Sequence, residues 1–215
     1  MLRALIFDFD GLILDTETSS YETARVVWAD HGAELTLAAW QLQIGTHRRH
    51  WIDELEDIVG PIPGRDVVLE HRRLAHNERL LSEVALPGVH DFVLAAHRAG
   101  VRLAVASSST FGWVSTHLER LELLDYFDAI VNCEGGIPAK PAPDVYEAAV
   151  AALEVGTAEA IAFEDSSNGI AAAKAAGLVC VAVPNRMTAA LDLRAADLLV
   201  DSFVELDLDA LASLL

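Results

Sequence analysis

Six short, nearly unbroken apolar runs punctuate the chain, at 4–9, 101–106, 129–132, 160–163, 179–183 and 198–200. Each after the first follows a stretch whose apolar positions recur at helical spacing. Apolar strands alternating with helices predict an α/β fold with a parallel sheet covered on both faces. Some helix ends are legible. The pattern over 90–99 stops at Gly100 and that over 169–176 at Gly177, each glycine placed for a left-handed cap. Ser166 or Ser167 is placed to cap the start of the second.

Between Thr16 and Leu86 the pattern changes. No strand is evident, only helical spacings at 17–29, 37–43, 47–59 and 67–81, separated by Gly32, Gly45 and Gly60-Pro61-Ile62-Pro63-Gly64. We therefore expect a smaller helical domain over residues 16–84, inserted into a core of 1–15 and 85–215, with Pro87-Gly88 marking the return. Trp28, Trp40 and Trp51 fit the core of that insert. The eight histidines show no metal-ligand spacing and are expected on the surface.

Composition narrows the function classes. A 215-residue chain that is 53% hydrophobic and 22% charged has the makings of a sizeable core. Its net charge of −18 repels polyphosphate backbones, which argues against nucleic-acid binding. No apolar stretch is long enough to span a membrane, and Asp8 and Asp10 interrupt the N-terminal run too early for a secretory signal. Cys133 and Cys180 lack metal or redox spacing; buried thiols in strands, in a reducing cytoplasm, are the expectation. Of the 15 Lys and Arg residues only Lys140 and Lys174 are lysines, so a lysine in a suggestive place is informative.

Four places carry chemistry. Asp8 and Asp10 close the first strand with Phe7 and Phe9 on the opposite side, at the carboxyl end where open α/β sheets bind ligands. Two crowded carboxylates call for a cation, a shared proton or both, unless they are solvated or capping acids. Ser107-Ser108-Ser109 follows the strand at 101–106, offering donors for an oxyanion or phosphate. Lys140 opens Lys140-Pro141-Ala142-Pro143, where the prolines fix the approach to a helix. Glu164-Asp165 ends the strand at 160–163, a second acidic pair that could complete a metal site with the first.

Asp8-Phe9-Asp10-Gly11, Ser107, Lys140 and Glu164-Asp165 resemble, in order, the four motifs of the haloacid dehalogenase-like superfamily. Asp10-Gly11-Leu12-Ile13-Leu14-Asp15-Thr16-Glu17, Lys140-Pro141-Ala142-Pro143 and Glu164-Asp165-Ser166-Ser167-Asn168-Gly169 resemble its phosphoglycolate phosphatase and β-phosphoglucomutase branch. The resemblance spans essentially the whole chain. It implies a Rossmann-like core, a helical-bundle cap, Mg²⁺ and a small phosphorylated substrate. With the charge and hydropathy arguing against a nucleic-acid or membrane partner, a monomer or weak dimer is the expectation. The resemblance makes Asp8 the nucleophile, and Asp10 the acid and then the base. Lys140 and Ser107 become catalytic donors, with Gly11, Ser108 and Ser109 around the phosphate. Asp8, Asp165, Glu164 and the Asp10 carbonyl become the metal-site residues. Gly45, Arg48 and Arg49 fall where relatives present a substrate-selecting loop, with Arg72, Arg73 and Arg79 as lesser candidates. Arginine suits a second anionic group on the substrate.

The same groups serve a phosphosugar mutase, the nearest alternative. Mutase relatives carry a His five residues past the Asp of Asp-Thr and a Lys-Gly pair in the cap loop; this chain has Ser20 and Ile44-Gly45 there. That difference favours hydrolysis. A dehalogenase lacks the second motif-one Asp and the acidic metal pair, and a phosphonatase needs a cap lysine that is absent here. A phospho-receiver domain places its acidic pair early, phosphorylates a central strand and carries no such insert.

Overall fold

The computed structural model describes residues 1–41, 44 and 50–215. In chain order the elements are β1 (Ala4–Phe7), α1 (Thr16–Asp30), α2 (Leu37–Gln41), α3 (Trp51–Val59), α4 (Arg65–Leu80), α5 (Val89–Arg98), β2 (Arg102–Ala106), α6 (Phe111–Arg120), β3 (Ala129–Val131), α7 (Asp144–Ala152), β4 (Ala160–Glu164), α8 (Ser167–Ala175), β5 (Val179–Ala182), β6 (Leu198–Leu199) and α9 (Leu208–Ala212). All six strands are parallel, in the order β3-β2-β1-β4-β5-β6, which puts β1 and β4 at the centre.

The alternation within β1 explains the two layers. Leu5 and Phe7 face one side and join Phe9, Phe92, Phe163 and Phe203 in an aromatic core. Phe7 stacks on Phe163 with ring centroids 5.0 Å apart, and Phe92 meets Phe163 edge-on at 5.5 Å; such pairs contribute roughly 0.5–1.5 kcal/mol each beyond area burial. Ala4 and Ile6 face the other side, where Ala104, Ala106, Ala160 and Ala162 present small side chains. With so little bulk on the sheet, α7 and α8 pack close through Tyr146, Ala149, Ala172 and Ala173. Cys180 is buried here in β5, as expected, but Cys133 is not in a strand. It follows β3 and is only half-buried, because β3 ends at Val131.

Among its described residues the insert between Thr16 and Leu80 holds four helices and no strand, with Tyr21, Trp28, Trp40, Trp51, Ile52 and Leu55 in its own core. Its two connections run side by side: Leu14 bridges Ala85, and Leu86 N donates to Ile13 O at 2.9 Å. Met187, from the loop after β5, enters the insert's core, and its carbonyl accepts from Gln41 Nε2 at 3.0 Å. A core loop and the cap are thus joined directly. Among the described residues, no helix is long and apolar enough to cross a membrane.

Candidate active site

The site forms where the central strands end. Asp8 N extends the ladder by one bond, donating to Phe163 O at 3.0 Å, and the chain then folds back, with Gly11 N donating to Leu14 O at 2.8 Å. Gly11 has φ +82°, and a Cβ there would strike the Asp165 carboxylate and the Asn185 amide. Glycine is what lets the first loop lie against the fourth. Gly169 serves α8 in the same way, since a Cβ would overlap the Glu164 carboxylate. Ser166, rather than Ser167, caps α8 by accepting from Gly169 N at 3.2 Å.

Four buried ionisable groups meet there. Lys140 Nζ lies 2.5 Å from Asp8 Oδ1 and 2.6 Å from Glu164 Oε1. Glu164 Oε1 also accepts from the Tyr146 hydroxyl at 2.5 Å, and its Oε2 from Ser166 Oγ at 3.4 Å. Asn185 Nδ2 donates 2.7 Å bonds to Asp165 Oδ2 and Gly11 O, while its own Oδ1 accepts from Met187 N and Thr188 N. Three carboxylates thus face one ammonium. Burial pushes the Asp8 carboxyl up to about 7, the charges of Glu164 and Asp10 adding to the shift and that of Lys140 opposing it. Burial, with Asp8 and Glu164 nearby, lifts Asp165 well above the carboxylate range. Burial works against the Lys140 charge, yet the two carboxylates outweigh it and hold the ammonium protonated.

Asp8, Glu164 and Asp165 offer oxygens within 4.8 Å of one another. An all-carboxylate donor set suits a hard divalent cation. Glu164 has partners on both oxygens, whereas Asp8 and Asp165 each keep one oxygen without a hydrogen bond among the described residues. The cluster therefore fits a cation held chiefly by Asp8 and Asp165, with Glu164 anchoring Lys140.

Asp10 lines a cavity of about 420 Å³ together with Asp8. Ser109 Oγ donates to Asp10 Oδ2 at 2.6 Å, and Trp113 Nε1 to Oδ1 at 2.9 Å. Ser107 Oγ accepts from Ser109 N, and Ser108 Oγ from Lys140 N. All three serines line the cavity with Asp8, Lys140 and Asp165.

From the cap come Thr16, Glu17, Ser20, Ile44 and His76. Burial and the charge of Asp10 push Glu17 up to about 7. Its side chain is half-buried at the cavity wall. The Trp40 indole N–H lies near it without hydrogen-bond geometry. Arg72 donates to Ser20 O at 2.8 Å and to Ser20 Oγ, and its guanidinium lies 5.5 Å from the Trp51 ring centroid. Arg73 pairs with Glu70 on the surface, and Arg79 is exposed.

The motif residues Asp8, Asp10, Gly11, Ser107, Ser108, Ser109, Lys140, Glu164 and Asp165 are thus brought together. Gly45, Arg48 and Arg49 lie outside the described residues. The expectation of surface histidines fails for His117, buried beneath Phe9 and Trp113, for His76, half-buried against Trp113 at the cavity wall, and for His31, half-buried with Nδ1 2.8 Å from Val27 O. Trp113, Tyr146, Asn185 and Glu17 were not anticipated as site residues. A position just past a strand end was the available signal for Asn185, and the Asp-Thr-Glu run for Glu17.

Residues 5–183 match the family model described as haloacid dehalogenase-like hydrolase. The chain is 41% identical over 209 residues to YhcW of Bacillus subtilis (strain 168), covering 97% of this chain and 95% of that one. It is 33% identical over 201 residues to hexitol phosphatase B of Escherichia coli (strain K12), covering 85% and 84%. A crystal structure of a CbbY mutant from Rhodobacter sphaeroides in complex with xylulose-(1,5)bisphosphate is similar at a TM-score of 0.74 and 29% identity, over 96% of each chain.

Proposed function

The chain belongs to the haloacid dehalogenase-like hydrolases, and we propose that it is a Mg²⁺-dependent phosphatase of small phosphorylated sugars that works through a phosphorylated Asp8. Its relatives place it among phosphoric monoester hydrolases. The observation that carries the mechanism is the position of Asp8, a buried carboxylate at a central strand end, 2.5 Å from Lys140 and beside Asp165. The sugar is suggested by hexitol phosphatase B and by the bisphosphate bound to CbbY.

In this reading Asp8 attacks phosphorus, and the bond to the leaving oxygen breaks as the bond to Asp8 forms. Asp10 delivers its proton to that leaving oxygen. Lys140 and Ser107 offer donors where negative charge collects on the phosphoryl oxygens. Asp10, now ionised, takes a proton from the water that attacks the phosphoenzyme, releasing phosphate and restoring Asp8. Asp8 and Asp165, with the Asp10 carbonyl, would hold the divalent cation, which when bound supplies charge neutralisation at the phosphoryl group. Thr16, Glu17 and Ser20 face the same cavity from the cap, where sugar hydroxyls would lie.

The test is ³¹P NMR of sugar phosphates incubated with enzyme and Mg²⁺, with EDTA as control. Free phosphate, suppressed by EDTA, is expected. Conversion of β-glucose 1-phosphate to glucose 6-phosphate with little free phosphate, after priming with the 1,6-bisphosphate, would instead establish a mutase.

A further inference from the structure

Trp113 lies in the first turn of α6, outside the motifs that drew attention to the site, yet its indole reaches Asp10. Its Nε1–H donates to Asp10 Oδ1 at 2.9 Å, while Ser109 Oγ donates to Oδ2 at 2.6 Å. Both donors come from the segment that follows β2, so one piece of the core grips both oxygens of a carboxylate on another loop. The ring is itself held. His117, one helical turn on, meets it edge-on with centroids 4.5 Å apart, and His76 from cap helix α4 stacks over it at 5.8 Å and 28°. Thr110 caps α6 by accepting from Trp113 N at 3.3 Å, fixing where the residue begins its turn.

We propose that Trp113 is a positioning residue, one that orients Asp10 for proton transfer to the leaving group. The inference rests on the acid–base role given to Asp10 above. Its chemistry lies in the asymmetry of the two donors. An indole N–H can only donate, so Oδ1 is pinned as an acceptor. A serine hydroxyl can donate or accept, so Oδ2 is the oxygen free to carry the proton. Trp113 thereby selects which oxygen faces the leaving group and keeps the carboxyl from rotating. Because His76 belongs to the cap, the ring also ties the orientation of Asp10 to the seating of the cap on the core.

The experiment separates positioning from packing by leaving-group chemistry. Trp113→Phe keeps a ring between the two histidines but removes the N–H together with the bulk of the fused ring; benzothienylalanine at position 113 removes the N–H with the bicyclic shape intact. Both are compared with the parent and Asp10→Asn on a hexose 6-phosphate and on 2,4-dinitrophenyl phosphate, whose leaving group departs without a proton. A positioned general acid is worth roughly 10²–10⁴-fold. Loss of orientation is therefore expected to lower kcat/KM for the sugar ester about tenfold or more, while kcat/KM for the dinitrophenyl ester stays within about twofold. Asp10→Asn should show the same split, enlarged. Equal losses on both esters in both Trp113 variants, or no loss at all, would overturn the proposal while a split in Asp10→Asn left the acid role standing. No split in Asp10→Asn would overturn the acid role and the proposal with it.

Discussion

Lys140 Nζ lies 2.5 Å from Asp8 Oδ1 at the wall of the cavity, where both side chains are largely buried and poorly solvated. The pair is shared, since Glu164 Oε1 is 2.6 Å from the same ammonium. Removing the lysine would leave both carboxylates facing each other in a low-dielectric pocket.

Lys140→Met should therefore cost about 3–5 kcal/mol of stability, the usual penalty for breaking a buried pair from one side. It should also abolish turnover. Arg is no substitute, because its planar fork does not fit a point contact to two carboxylates at the ends of neighbouring strands. Urea unfolding with and without Mg²⁺ measures both effects. The cation should recover part of the lost stability in Lys140→Met.

Asn185 holds Asp165 and the Gly11 carbonyl with the two hydrogens of one amide. Asn185→Ala should lose about 1–3 kcal/mol through the unsatisfied buried partners. A partner that orients a metal ligand is worth about 10–100-fold in affinity, so the Mg²⁺ activation midpoint should rise by that factor with kcat at saturation largely retained. Asp165→Ala should shift the midpoint further. Mg²⁺ titration of activity checks both.

Glu17 and His76, facing one cavity, should pull the pH dependence of stability in opposite directions. His76 is lowered from 6.5 to about 4, first by burial and then by the charge of Arg72. Its contribution is complete above pH 6.5 and is lost as pH falls toward 4, since the unfolded chain takes up the proton first. Glu17 is raised from 4.5 to about 7. Its contribution is complete below pH 4.5 and is lost as pH rises through 7. In the metal-free protein, His76→Phe should gain stability relative to the parent as pH falls from 6.5 to 4. Glu17→Gln should lose it as pH falls from 7 to 4.5. Thermal unfolding across this range reads the two slopes, and equal slopes would contradict the assignment.

The sheet was legible because its strands are apolar on both faces, and the acids of the site stood out because they interrupt those runs at strand ends. The first run was expected to reach Phe9, but β1 ends at Phe7 because the chain folds back through Gly11. Helix α4 starts at Arg65, two residues before its apolar spacing, because Gly64 ends the preceding turn with φ +70°. Contacts between distant segments left no periodic trace. Asn185 meets Gly11 across 174 positions, and Trp113 meets Asp10 across 103. The insert's tryptophans were assigned by their neighbours' spacing, whereas Trp113 begins a core helix and gave no comparable sign. His117 was missed for a related reason: it is a polar residue buried on the inner face of α6, beneath Phe9 and Trp113.

The most direct test of the account is a rapid-quench measurement with a ³²P-labelled sugar phosphate that the enzyme hydrolyses, followed by peptide mapping. Label should appear transiently in the peptide containing Asp8, survive acid, be released by hydroxylamine, and be absent from Asp8→Asn. Turnover without any labelled protein, or a deamidation-free Asp8→Asn enzyme that still hydrolyses its substrate, would contradict it.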